Sequence, residues 1–130
     1  DTVNTNDKKL SILIMDDEES VRTITSKLLR LLGHNVDCAE CGEQAIEMYK
    51  NSYMNNKKYD VVFMDLIVPG KLGGKEAIKI LHEFDPNAKA IISSGYSTGE
   101  IMSNYQSYGF CGVLTKPYQI EEVQKILNEI

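Results

Sequence analysis

Three carboxylates, a hydroxyl and an ammonium occupy equivalent places in this sequence. Asp16 and Asp17 follow the apolar run Leu10 to Met15, and Asp65 follows Val61 to Met64. Ser93 follows the segment Ala88 to Ile92, and Lys116 follows Gly112 to Thr115. Each run is short and largely apolar, the pattern of a strand buried on both faces of a parallel sheet. In such a sheet the carboxyl ends share one edge, and ligands bind there. Like charges about 4 Å apart repel by roughly 4 kcal/mol at an effective dielectric near 20, so three carboxylates together require a cation. Their hard oxygens suit Mg²⁺, which keeps several waters and takes phosphate as a further ligand. Lys116 offers a point charge to a phosphoryl oxygen and Ser93 a hydroxyl donor. A carboxylate is also a nucleophile able to form an acyl phosphate, with catalysis mostly by positioning and charge neutralisation.

These residues converge only if the rest of the chain builds that sheet. Val21, Ile24, Leu28 and Leu31/Leu32 recur at helical spacing after the first strand, with Glu18 and Glu19 in the first turn and Gly33 as a C-terminal cap. Asn35 to Ala39 reads as a second strand, and Gly42 to about Met54 as a helix burying Ala45, Ile46, Tyr49 and Tyr53. Pro69 ends the third strand's continuation, and a glycine-rich loop runs from Gly70 to Gly74. A third helix turns Ala77, Ile78, Leu81 and Phe84 inward, and Asp85-Pro86-Asn87 forms a turn. Ser97-x-x-Glu100 reads as a capping box opening a fourth helix with Ile101, Tyr105 and Tyr108 on one face. Ile120, Val123, Ile126/Leu127 and Ile130 mark a fifth. Five strand–helix units with right-handed crossovers predict an α/β, flavodoxin-like, doubly wound parallel sheet of order 2-1-3-4-5 with five helices. The domain is expected over residues 10–130, after a polar start at 1–9 that reads as linker or disorder.

Composition excludes several classes of function. The chain has 130 residues, enough for one domain with a single core, and a formal net charge of -5. That balance opposes a duplex-DNA surface, which needs clustered Lys and Arg. No apolar run approaches the roughly 20 residues of a membrane helix, and no basic-then-apolar leader opens the sequence. Three cysteines fit a reducing, cytoplasmic setting better than a disulfide framework.

Met15-Asp16-Asp17-Glu18, Asp65-Leu66-Ile67-Val68-Pro69, Ser93-Ser94-Gly95 and Lys116-Pro117 together resemble the receiver domain of two-component response regulators, from about Leu10 to Ile130. The resemblance implies that Asp65 accepts phosphoryl from the phosphohistidine of a histidine kinase or phosphotransfer domain. It implies Mg²⁺ (or Mn²⁺) on Asp17, Asp65 and the Ile67 backbone carbonyl, with Asp16 acting through water. Ser93 and Lys116 match the residues that bind the phosphoryl group, and the Lys116-Pro117 bond is expected to be cis. Such a domain is a self-phosphorylating switch rather than an enzyme, expected as a monomer or weak dimer without nucleic-acid or membrane contact of its own. The segments Gly70 to Ala77 and Ser93 to Ser97 are similar to receivers of hybrid sensor histidine kinases. The end at Ile130 and the polar start fit a domain cut from such a parent, a class that includes proteins attached to a membrane through other segments.

Two residues depart from the family pattern. Val113 stands three residues before Lys116, where many receivers carry a rotating Tyr or Phe, and Tyr96 is a candidate substitute. Ile67 offers no polar side chain to orient a hydrolytic water, which predicts slow self-dephosphorylation. Cys38-x-x-Cys41 mimics a redox spacing, but Glu40 is an unusual spacer, and core or loop thiols are the expectation. His34 and His82 are read as surface residues. Two other classes compete with the switch. One is a small Asp-nucleophile phosphatase, which would want an acid where Ile67 stands; the other is a pseudo-receiver that only binds a partner.

Overall fold

The computed structural model describes residues 9–95 and 103–130. The polar start except Lys9, Tyr96, the Ser97–Glu100 capping box and Ile101 lie outside the described residues. The strands are β1 (Ser11–Met15), β2 (Asn35–Ala39), β3 (Val61–Asp65), β4 (Ala90–Ser94) and β5 (Gly112–Thr115). They form a parallel sheet of order β2-β1-β3-β4-β5, the flavodoxin-like order expected. Helices α1 (Glu19–Leu31), α2 (Gly42–Met54), α3 (Gly74–Phe84) and α4 (Ile120–Asn128) join a 3₁₀ turn at Tyr105–Tyr108. Among the described residues there are four α-helices and one 3₁₀ turn, and the helix expected to open at Ser97 falls largely outside them. None of these helices is long and apolar enough to cross a membrane.

Strand periodicity divides the core into two layers. Leu13, Met15, Val62, Met64, Ala90 and Ile92 face α2 and α3, meeting Ala45, Ile46, Tyr49, Ala77, Ile78 and Leu81. Ile12, Ile14, Val61, Phe63 and Ile91 face the other way, against Leu29 of α1 and Val123 and Leu127 of α4. With both faces covered, the central strands β3 and β4 are apolar until their last one or two residues, where polar groups gather.

The structure corrects four local expectations. Strand β4 runs two residues later than its sequence suggests, because Ala88 donates to the Asp85 carbonyl at 3.0 Å and stays in the preceding turn. Ser93 and Ser94 are therefore inside the strand. Helix α1 is rotated: Ile24 and Leu31 are 68% and 84% exposed, while Thr25, Ser26 and Leu29 are buried. Arg22 donates to the Asp16 carbonyl at 2.8 Å, and the Ser26 hydroxyl meets the Cys38 thiol at 3.1 Å. These polar ties turn the small Thr25 and Ser26 toward the sheet. Tyr53 is half outside, its ring edge-on to Phe84. The histidines are half-buried fasteners: His34 Nδ1 accepts from the Leu10 N–H at 3.1 Å, and His82 Nε2 bonds the Ala88 carbonyl at 2.9 Å. Cys38 ends on β2, Cys41 caps α2, and all three thiols are free.

The sheet's amino edge carries its own carboxylates, and each has donors. Asp60 accepts from the Ser11 N–H at 2.7 Å. Asp85, 3% exposed, accepts from the Tyr49 hydroxyl at 2.7 Å and the Asn87 N–H at 3.1 Å, and pairs with Lys58 at 3.1 Å. Burial pushes the Asp85 pKa up, but these donors outweigh it and hold the carboxyl below its ordinary range. A depressed carboxylate stabilises the fold above its unfolded pKa, and that contribution is lost as pH falls through the folded value. Tyr49→Phe should therefore lower the unfolding free energy by about 1–2 kcal/mol at neutral pH. The gap to wild type should narrow below about pH 4, in chemical denaturation followed across pH. Equal stability of the two proteins at neutral pH would contradict this role.

Candidate functional site

Parallel register sets the site. Met15 pairs with Met64, and Asp65 pairs with Ser93, so the residues closing β1, β3 and β4 stand level along the carboxyl edge. Asp16 is 1% exposed and held from several sides. Its own N–H donates to the Ala39 carbonyl at 3.1 Å, and its carboxylate accepts the Glu18 N–H at 2.9 Å. Asp17 is exposed and Asp65 half-buried. Carboxylate oxygens of Asp16, Asp17 and Asp65 lie within 4.8 Å of one another. Lys116 enters from the end of β5, where its N–H donates to the Ser94 carbonyl at 2.8 Å. The Lys116-Pro117 bond is cis.

The loop after Asp65 is seated by close backbone approach. Gly73 and Gly74 pack onto the end of β3. A Cβ at Gly73 would fall 2.3 Å from the Leu66 carbonyl oxygen, and one at Gly74 2.9 Å from that of Asp65. Neither contact can yield cheaply, because both partners are backbone. The Gly42 N–H donates to the Leu72 carbonyl at 2.7 Å, and the Leu72 N–H donates to Glu43 at 3.1 Å. Helix α2 thus clamps the loop that carries Ile67, whose side chain is 71% exposed.

Electrostatics divides the three acids unequally. The Lys116 ammonium is paired with Asp16 and stands 3.9 Å from Asp65. Burial alone would lower the Lys116 pKa; its bond to Asp16 and the charge of Asp65 outweigh that and raise it. Asp65 is left in deficit. Burial pushes its pKa up, Lys116 offsets part of that, and Asp16 and Asp17 add to it, giving about 7. Three carboxylates face one ammonium, and a bound divalent cation would relieve that deficit.

Asp16, Asp17, Asp65, Ser93 and Lys116, singled out in the sequence, meet at one edge; Ile67 lies in the adjoining loop. Their internal pairing was not legible. The sequence leaves the Lys116 ammonium available to a ligand, whereas it is engaged by Asp16, a hundred residues away. Tyr118 was missed altogether. Its hydroxyl is hydrogen-bonded to that of the buried Ser93, and its ring sits edge-on to Phe63 with centroids 6.4 Å apart. Only its place two residues beyond Lys116 hinted at this. Val113 is half-buried in register with Ile92 and lines a cavity of about 430 Å³ with Tyr105 and Lys125.

Comparison with known proteins agrees with the geometry. The family model described as response regulator receiver domain matches residues 12–128. The chemotaxis protein CheY of Halobacterium salinarum is 31% identical over 92% of this chain and 94% of its own length. The transcription factor SKN7 of Chaetomium thermophilum is 29% identical over 94% of this chain, which spans only 15% of that protein. A chain of the crystallised CheX–CheY–BeF₃–Mg²⁺ complex of Borrelia burgdorferi superposes with a TM-score of 0.83 at 26% identity, covering 98% of this chain and 93% of that one.

The raised Asp65 pKa has a consequence for stability. Its folded value lies above its unfolded one, so ionisation destabilises the fold increasingly from about pH 4 to pH 7, and fully above that. In chelator, Asp65→Asn should raise stability at pH 8 by roughly 1–2 kcal/mol after allowance for screening at the rim. For a domain of this size that is roughly 3–6 °C in Tm. The gain should shrink as pH falls toward about 4 and when Mg²⁺ is added to wild type. A substitution that lowers Tm at pH 8 in chelator would refute the account.

Proposed function

The chain belongs to the response regulator receiver domain family, and on that premise we propose that it is a phosphoacceptor switch in a two-component phosphorelay. Asp65 is the acceptor, the donor is a phosphohistidine on a histidine kinase or phosphotransfer partner, and the modified edge biases a partner or linked domain. The observation that carries this reading is the clustering of Asp16, Asp17 and Asp65 with Lys116 at the carboxyl edge of the sheet. A carboxylate oxygen of Asp65 attacks phosphorus, and the P–N bond of the phosphohistidine breaks with its electron pair going to the imidazole nitrogen. The new group carries a charge of about −1.5 to −2, judged by phosphate esters. Lys116, 3.9 Å from Asp65, is placed to divide its charge between Asp16 and a phosphoryl oxygen. Ser93, level with Asp65 on β4, is placed to donate its hydroxyl hydrogen to another.

The donor set fits a hard divalent cation: three carboxylates converge, and one of them has an electrostatic deficit. Asp17, Asp65 and the Ile67 carbonyl are the proposed direct ligands of Mg²⁺ or Mn²⁺, with Asp16 behind them through water. When bound, the ion would neutralise charge shared between Asp65 and the phosphoryl oxygens. We place the domain in the cytoplasm, as a monomer or weak dimer. The loop resemblance noted above favours a hybrid sensor histidine kinase as its parent.

Incubation with Mg²⁺ and a small acyl phosphate, followed by intact mass measurement, separates the competing classes. The expected outcome is a stoichiometric phosphoryl adduct absent from Asp65→Asn. Donor turnover without an adduct would instead indicate a phosphatase, and an unchanged protein a pseudo-receiver. The exposed, apolar Ile67 further predicts that the adduct outlives donor removal by minutes or more. A half-life of seconds or less would overturn that expectation.

A further inference from the structure

Ser93 is almost fully buried, and its hydroxyl must point correctly to serve a group on Asp65. A serine hydroxyl has one hydrogen and two acceptor positions and rotates freely unless a neighbour fixes it. The neighbour here is the Tyr118 hydroxyl, from the segment just past Lys116. The Tyr118 ring is held edge-on to Phe63, and the ring packs with the apolar layer beneath the site. Thr25, buried on α1, is a further hydroxyl neighbour of the same phenol. Burial raises the Tyr118 pKa, so the phenol keeps its proton at neutral pH.

We propose that Tyr118 is a positioning residue for phosphoryl transfer, acting through Ser93. Each hydroxyl in the row Thr25, Tyr118, Ser93 carries one hydrogen, so the row needs a direction. A phenol is a stronger donor than an aliphatic alcohol, so Tyr118 donates to the Ser93 oxygen. The Ser93 hydrogen is then left for the one strong acceptor that arrives, a phosphoryl oxygen on Asp65. Thr25 donates to the phenol oxygen from behind, and aligned hydroxyls polarise one another. No proton changes owner; the row only fixes where the Ser93 hydrogen points.

This inference rests on the proposed acceptor role of Asp65, and the test keeps the two separable. Rates of Asp65 phosphorylation by a small acyl phosphate in Mg²⁺ are measured for wild type, Tyr118→Phe, Ser93→Ala and the double variant. Tyr118→Phe should lower the maximal rate by about 3–10-fold, the range for loss of one neutral hydrogen bond, with the half-saturating donor concentration unchanged. In the Ser93→Ala background the same change should alter the rate by less than about twofold, since its route is gone. Thr25→Val, which leaves the ring and its packing alone, should give a smaller slowing that also disappears without Ser93. Wild-type rates in Tyr118→Phe, or an equal slowing in both backgrounds, would overturn the positioning role while leaving Asp65 as acceptor. Absence of any adduct on wild type would remove the acceptor reading and this inference with it.

Discussion

Crowding of like charge at the end of a hydrophobic sheet is the constraint on which the other features depend. Asp16, Asp17 and Asp65 bring oxygens within 4.8 Å, and the apolar strands behind them offer no relief. Repulsion of this size opposes folding, so the surrounding structure has to hold it. Register does part of that work, because Asp65 cannot withdraw without breaking its level pairing with Ser93. The glycine pair and the α2 clamp do another part, fixing the loop just past Asp65. Lys116 brings the opposing charge from a strand that does not touch β1.

That counter-charge is unevenly distributed, and the unevenness is chemically useful. Asp16 is buried, takes the ammonium, and accepts a backbone N–H besides. Its side chain is well supplied with donors. Asp65 has only the distant side of Lys116 and two acidic neighbours. Of these two carboxylates the less compensated is also the more exposed, and its energy would fall on arrival of a cation. Had Lys116 paired with Asp65 instead, that carboxylate would be masked and the need for a cation reduced. The same ammonium is held close enough to shift toward Asp65 while Asp16 keeps the Glu18 N–H.

The parts of the molecule legible in the sequence were those set by local pattern. Short apolar runs ending in polar residues gave the strands, their parallel order and the identity of the clustered residues, because burial on both faces forces continuous hydrophobicity. What escaped was decided by contacts between distant segments. Ile24 and Leu31 have the right spacing for a buried face, yet polar ties of Arg22 and Ser26 turn α1 so that they point outward. The pairing of Lys116 with Asp16 over Asp65, and of Tyr118 with Ser93, turns on ångström differences that no periodicity encodes. The shift of β4 by two residues came from a turn hydrogen bond at Ala88, where propensity and pattern were both indifferent.

The two edges of the sheet show how one residue type is put to opposite uses. At the amino edge, Asp60 and Asp85 are supplied with N–H, O–H and ammonium donors, and Asp85 is more acidic than in water despite its burial. These acids close loops and are finished interactions. At the carboxyl edge Asp65 is half-buried with fewer donors, and its pKa moves the other way. Burial alone does not separate the two cases, since Asp85 is the deeper group. The separation lies in the count of donors aimed at each carboxylate. Neighbouring turns and side chains saturate the first edge, while strand ends carrying acid leave the second unsaturated. A parallel sheet makes that asymmetry natural, because all its loops of one kind fall on one side. The stable edge supports the fold, so the carboxyl edge can remain electrostatically incomplete until a cation completes it.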